Sequence, residues 1–208
     1  MSAAPAAPGL FVVFEGGDGS GKSTQTALLC DWLAATARPY LKTFEPGDST
    51  AGRLIRRIVL DPSTGELAPK AEALLYAADK AHHLDVVVRP ALARGEIVVC
   101  DRYIDSMLAY QGGGRDLDPH ELEELARWAT DDLRPDLTVL LDGDPADLVA
   151  GMAEKDRIEA AGADFHRAAR ERFLALAARD PEHYLVLPSR DDRESIAAAV
   201  RDRVAALR

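Results

Sequence analysis

Five short apolar runs recur along the chain, separated by longer stretches with helical spacing. They are Leu10–Phe14, the weaker Tyr40–Phe44, Ile97–Cys100, Leu137–Leu141 and Tyr184–Leu187. Continuous runs of this kind suit strands buried on both faces, and the helical stretches between them suit crossovers. The pattern therefore predicts an α/β fold, a doubly wound five-stranded parallel sheet flanked by helices. The strongest helical stretch covers residues 66–94, with a break or turn near Pro90, whose ring cannot sit inside a regular helix without removing a hydrogen bond. Another covers 119–130: Pro119 opens it, and Leu122, Leu125, Trp128 and Ala129 recur at helical spacing. No internal repeat and no long linker interrupts the pattern. Residues 9–208 read as a single domain, preceded by an Ala/Pro-rich tail, residues 1–8, expected to be disordered.

Composition narrows the function without naming it. The chain has 208 residues, 47% hydrophobic and 29% charged, as in an ordinary globular domain. Its 35 acidic and 25 basic residues give a formal net charge of -10, which argues against a nucleic-acid-coating protein, since that would need a basic stripe. An anionic small molecule stays compatible, because a few arginines can converge in the cleft of an acidic protein. Cys30 and Cys100 lie far apart, each within an apolar pattern, and read as small buried hydrophobes rather than a disulfide or metal framework. That usage fits a reducing cytoplasm. No apolar stretch approaches the roughly 20 residues of a membrane span.

The chemistry begins after the first apolar run. Gly16-Gly17-Asp18-Gly19-Ser20-Gly21-Lys22-Ser23 satisfies G-x-x-x-x-G-K-[ST], with Thr24 following. Glycines allow positive φ, so successive N–H groups can turn inward onto phosphate oxygens. The helix expected from Gly21 to about Thr36 presents its positive dipole end to the same anion. Lys22 is expected at the β- and γ-phosphates of ATP, and the Ser23 hydroxyl at Mg²⁺. A strand before the loop and a helix after it are the context this motif needs.

Asp101-Arg102-Tyr103 follows the run Ile97–Cys100, which sets a carboxylate and a guanidinium at the carboxyl end of a core strand. An arginine there can grip an acceptor phosphate bidentately, and Asp101 can orient Mg²⁺ waters or a basic neighbour. Read alone, the pair also admits a strand-ending salt bridge. The guanine-reading Asn-Lys-x-Asp run of GTPases is absent.

Several blocks together resemble the thymidylate kinase family. They are Phe14 to Thr24, Glu45-Pro46-Gly47, Leu75 to Lys80, Asp101-Arg102-Tyr103, Ala109 to Arg115 and Asp156-Arg157-Ile158-Glu159, in family order across about residues 9 to 190. The resemblance implies a P-loop NTPase fold and a cytoplasmic homodimer that transfers a phosphoryl group from ATP to dTMP. By resemblance, Asp18 and Glu45 lie near the acceptor's sugar, phosphate and magnesium, and Arg56 and Arg102 bind its phosphate. Tyr76 matches an aromatic that stacks on the pyrimidine, Gln111 a residue beside the base, and Tyr110 a neighbour of the sugar. Residues 143–160 match the lid over ATP. From the residues alone, Tyr76 also admits a core role, and the five histidines, His82 and His83 included, read as surface or packing residues.

Four departures from the family pattern touch the chemistry. Phe44 stands where an arginine is usual before Glu-Pro-Gly. Lys80 replaces a base-reading arginine, trading a planar fork for a point charge. Met107 replaces a small polar residue near the base edge, and Gly143 to Glu154 carries no basic residue. Arg157 matches a family position and is the first choice for the missing lid cation, ahead of Lys155. Lys80 and Met107 keep open a kinase for another or modified pyrimidine monophosphate. The depleted lid keeps open a nucleotide-binding homologue with little catalytic activity.

Overall fold

Each of the five apolar runs becomes a strand; the runs at Leu10–Phe14, Ile97–Cys100 and Leu137–Leu141 are buried between two helical layers, and the other two are partly exposed. The computed structural model describes residues 9–115, 117–149 and 156–207. Residues 1–8 and the centre of the expected lid, 150–155, lie outside them. In chain order the elements begin β1 (Leu10–Gly16), α1 (Lys22–Ala35), β2 (Tyr40–Phe44), α2 (Thr50–Leu60), α3 (Pro69–His83), α4 (Arg89–Ala93) and β3 (Ile97–Asp101). They continue α5 (Ile104–Met107), α6 (Pro119–Thr130), β4 (Leu137–Asp142), α7 (Pro145–Val149), α8 (Ala163–Arg179), β5 (Tyr184–Pro188) and α9 (Arg193–Ala206).

The strands pair in the order β2-β3-β1-β4-β5, and every pairing is parallel. Alternate residues of β1 serve opposite cores. Phe11 and Val13 pack with Val98 and Cys100 beneath α3 and α6, while Val12 and Phe14 pack with Val99 and Val139 beneath α1 and α9. This two-sided burial is what made the strands continuous apolar runs. Both cysteines are free and buried. Since β1 is central, with β3 on one side and β4 on the other, its carboxyl end opens into the crevice where such sheets bind ligands.

Two helical expectations change. Pro90 does not break the long helix: a π-helical turn, Leu84–Val88, carries α3 into α4, and Pro90 falls in the first turn of α4. Its missing N–H costs nothing at that position. A second π-helical turn, Leu108–Gly114, extends α5. Trp128 is not part of the buried face of α6; it is 79% exposed, while Leu122, Ala126 and Ala129 face the core. Six positions after Leu122, Trp128 points well away from that face at 3.6 residues per turn.

Candidate active site

The loop between β1 and α1 folds around its own lysine. Gly16 sits at φ 133 and Gly21 at φ 90, backbone states that a side chain would strain, so glycine is required at both turns. Lys22 is buried, and its Nζ donates to the carbonyls of Gly16 at 3.0 Å and Gly17 at 2.7 Å. Burial, then the charge of Arg102, push the Lys22 ammonium down to about 8, although Asp18 and Asp101 act in the opposite direction. Gly19, Gly21, Lys22, Ser23 and Thr24 line a cleft of about 650 Å³. Gly16 and Gly17 line a smaller pocket between the loop and the end of β4, and the buried Ser20 hydroxyl has no hydrogen-bond partner among the described residues. The Ser23 hydroxyl donates to Asp101 Oδ2 at 2.7 Å, so the two expected magnesium-side residues stand together at the cleft floor. A hydroxyl and a carboxylate are hard oxygen donors, which is the chemistry Mg²⁺ accepts. Among the described residues no cluster of three or more His, Cys, Asp or Glu could hold a metal by itself.

Across the floor, Arg102 is fixed from several sides. It is one of the few non-glycine residues with positive φ, at 70°, which turns it off the end of β3 and back over the loop. Its guanidinium donates to Gly16 O at 3.1 Å and Ser106 Oγ at 2.9 Å, and it pairs with Asp18. Tyr110 donates to the other Asp18 oxygen at 3.3 Å, and its ring lies 5.4 Å from the Arg102 guanidinium carbon. Burial pushes the Asp18 carboxyl up, but Arg102 and Lys22 outweigh it and hold the group below its ordinary range. Glu15, at the end of β1, anchors the arrangement from beneath. It accepts from the backbone of Tyr103 at 2.8 Å and from the Ser106 hydroxyl at 2.6 Å. Sequence reasoning passed over Glu15 and Ser106; the Phe14-Glu15-Gly16 context held the signal, since a carboxylate inside a buried strand needs partners.

The opposite wall belongs to β2, α2, α3 and the π-helical turn after α5. Tyr76, Met107, Tyr110 and Gln111 line it together, so the residues expected around an acceptor base do converge. Arg56 lines it too: its guanidinium donates to Pro46 O at 2.8 Å and stands 5.6 Å from the exposed Phe44 ring. Lys80 and Glu45 line the cleft as well, where they are paired with each other. Lys80 Nζ donates to Glu45 Oε2 at 2.7 Å, and both side chains are almost fully buried. Glu45 also meets His83 Nδ1 at 2.8 Å, so His83 is a buried polar partner, a role that its lone helical position concealed.

Arg157 is the residue expected to serve as the lid cation. It lies outside the cleft lining, where its guanidinium donates to Val59 O at 2.9 Å and pairs with Glu72. Glu72, 0% exposed, also receives Gln111 Nε2 at 2.9 Å and Arg115 Nε at 3.1 Å. Two guanidiniums and an amide share this one carboxylate, a convergence that residue spacing does not reveal.

Comparison with known proteins is consistent along the whole chain. The family model described as thymidylate kinase matches residues 14–200. The thymidylate kinase of Cutibacterium acnes is 57% identical over 199 residues, covering 96% of this chain and 98% of that protein. That of Bifidobacterium longum is 47% identical over 201 residues, covering 94% and 97%. The crystal structure of thymidylate kinase from Ehrlichia chaffeensis superposes with a TM-score of 0.80 at 27% identity, covering 95% of this chain and all of that one.

Proposed function

Because the chain belongs to the thymidylate kinase family, we propose that this cleft performs the family reaction, transfer of the ATP γ-phosphoryl group to dTMP, with the two nucleotides divided between its two walls. The observation that carries this division is the facing pair at the cleft floor: a buried lysine inside a glycine loop, and a braced arginine off the neighbouring strand. The loop residues Gly16 to Thr24 take the triphosphate of ATP, and Lys22 neutralises its β- and γ-oxygens. Arg102 and Arg56 take the phosphate of dTMP. Tyr76, Met107 and Gln111 surround its base, and Asp18, Glu45 and Tyr110 its sugar.

The acceptor phosphate is already ionised at neutral pH, so its oxygen attacks the γ-phosphorus directly and no general base is required. The bond from that oxygen to phosphorus forms as the bond to the β-bridging oxygen breaks, leaving ADP and dTDP. The protein contributes alignment, positive charge and exclusion of water. Ser23 and Asp101 are the residues that would hold Mg²⁺, which supplies charge neutralisation at the transferring phosphates. Arg157 remains the lid cation in this reading, and it reaches ATP by leaving Glu72 when the lid closes. The reading also makes the enzyme a homodimer working in the cytoplasm. The exposed Leu54 and Ile58 of α2 and Leu74 of α3 support the dimer, since these two helices pack against each other and each carries exposed apolar side chains. Among the described residues no helix is long and apolar enough to cross a membrane.

A coupled assay of ADP release tests the reading. Turnover should depend on dTMP and vanish in Lys22→Ala; wild-type turnover no higher than that variant's overturns it. A second reading, a different pyrimidine monophosphate as acceptor, draws support from Lys80 being committed to Glu45 rather than free for the base. In a panel of pyrimidine monophosphates dTMP should have the highest kcat/KM, and a better acceptor would favour the second reading.

A further inference from the structure

Along the acceptor wall runs a chain of largely buried hydrogen bonds, of which the reaction scheme above uses only Glu45. Lys80 Nζ donates to Glu45 Oε2 at 2.7 Å, and Glu45 Oε1 lies 2.8 Å from His83 Nδ1. On the far side of the ring, His83 Nε2 lies 2.6 Å from Thr43 Oγ1, and the Thr43 hydroxyl donates to Asp48 Oδ2 at 2.7 Å. His83 is 0% exposed, and Thr43, Glu45 and Lys80 are each 2% exposed, so water does not complete these contacts.

Counting protons along the chain fixes the state of the ring. Thr43 has one hydroxyl proton, and the Asp48 carboxylate can only accept it. The Thr43 oxygen must then accept from His83 Nε2–H. Burial pushes the Glu45 carboxyl up, but Lys80 and His83 outweigh it and keep the group below its ordinary range, as a carboxylate. It accepts in turn from His83 Nδ1–H. Both ring nitrogens donate. Asp79, beside them on α3, is the carboxyl displaced toward its neutral form, by burial first and then by Glu45. A ring protonated on one nitrogen alone would set its bare nitrogen against an oxygen that also carries no proton to share.

We infer that His83 is held as an imidazolium and acts as the positioning residue of the acceptor pocket, fixing Glu45 and, through it, the Lys80 ammonium and the turn that braces Arg56. The linkage is covalent and short. Glu45 leads into Pro46, whose carbonyl receives Arg56 Nη1 at 2.8 Å, and then Gly47, whose N–H donates to Asp79 Oδ1 at 3.2 Å. Displacing Glu45 therefore shifts an acceptor-side guanidinium and an acceptor-side ammonium together, while the phosphate loop is built from other elements. Specificity for the monophosphate, rather than the grip on ATP, is what His83 sets. This inference rests on the division of the cleft proposed above.

Nitrogen-15 NMR of the histidine rings tests it, with His83 assigned by the signal missing from His83→Gln. Both ring nitrogens of wild-type His83 should resonate in the protonated range throughout neutral pH. One unprotonated ring nitrogen there overturns the inference, and this readout does not depend on any variant folding. In steady-state kinetics, His83→Gln and His83→Asn should raise KM for dTMP by about tenfold or more, and KM for ATP by less than about twofold. Equal effects on both substrates, or none on dTMP, would contradict the positioning role. Absence of wild-type turnover with dTMP would instead overturn the functional reading itself, so the two failures are separable.

Discussion

At the scale of single residues, the site is governed by charges that burial makes costly and neighbours make tolerable. Lys22 is the clearest case. Its ammonium is down at about 8 from an ordinary 10.5, so the empty enzyme begins to lose that proton just above neutrality. Triphosphate oxygens arriving beside it favour the charged form. Binding of ATP near pH 8 should therefore take up a proton, visible in calorimetry as a binding enthalpy that changes with the ionisation enthalpy of the buffer. A buffer-independent enthalpy at that pH would contradict the assignment. The linkage for stability has the opposite face: between about 8 and 10.5 the unfolded chain holds a proton that the folded chain lacks, so this group's burden is relieved as pH rises through that window. Asp105 behaves as a buried acid. Tyr184 donates to its Oδ2 at 2.5 Å, and burial followed by the charge of Glu15 pushes it up to about 7. From its ordinary 3.8 to about 7 the folded state keeps a proton that the unfolded state gives up, so stability declines with pH across that range. Asp105→Asn should be more stable than wild type above neutrality, with the gap closing toward pH 4 in urea titrations.

At the scale of elements, Glu72 joins α3 to the π-helical turn after α5 and to the segment carrying Arg157. Burial raises its carboxyl, but Arg115, Gln111 and Arg157 outweigh that and hold it below the ordinary 4.5. Its contribution to stability is present above 4.5 and is lost as pH falls through the lower folded value. Glu72→Gln leaves two guanidiniums uncompensated and should cost about 3–5 kcal/mol at neutral pH, read by chemical denaturation, with a flatter acid limb than wild type. A loss below about 1 kcal/mol would show that water already serves these arginines. The strands were legible because parallel strands buried on both faces become apolar runs, and even β2, with Tyr40 and Phe44 exposed, kept its register beside β3. The π-helical turns were not legible, since one extra residue per turn barely disturbs a 3.6-residue period over so short a segment. Trp128 misled because a large apolar side chain mimics a core position. The polar partners Glu15, Glu72 and His83 were hidden for the opposite reason: long-range pairing rescues them, and spacing along one helix carries no trace of it. The glycine loop, Asp101 and Arg102 were legible because their chemistry lies in contiguous residues.

At the scale of the whole molecule, the acidic chain sets Lys22, Lys42, Arg56, Lys80 and Arg102 around one cleft. Exposed Leu54, Ile58 and Leu74 leave an apolar surface on α2 and α3. Sedimentation equilibrium should give the mass of two chains, and Leu74→Glu should shift the population toward one; a monomer at micromolar wild-type concentration would count against the homodimer. The central claim is the division of the cleft, with ATP on the loop of Lys22 and the dTMP phosphate on Arg102. Calorimetric titration of wild type, Lys22→Ala and Arg102→Ala with magnesium-ATP and with dTMP tests it most directly. Lys22→Ala should lose ATP affinity by at least about tenfold and keep dTMP, and Arg102→Ala should lose dTMP by at least about tenfold and keep ATP. Loss of the same nucleotide by both variants, or failure of the wild type to bind either one, would contradict it.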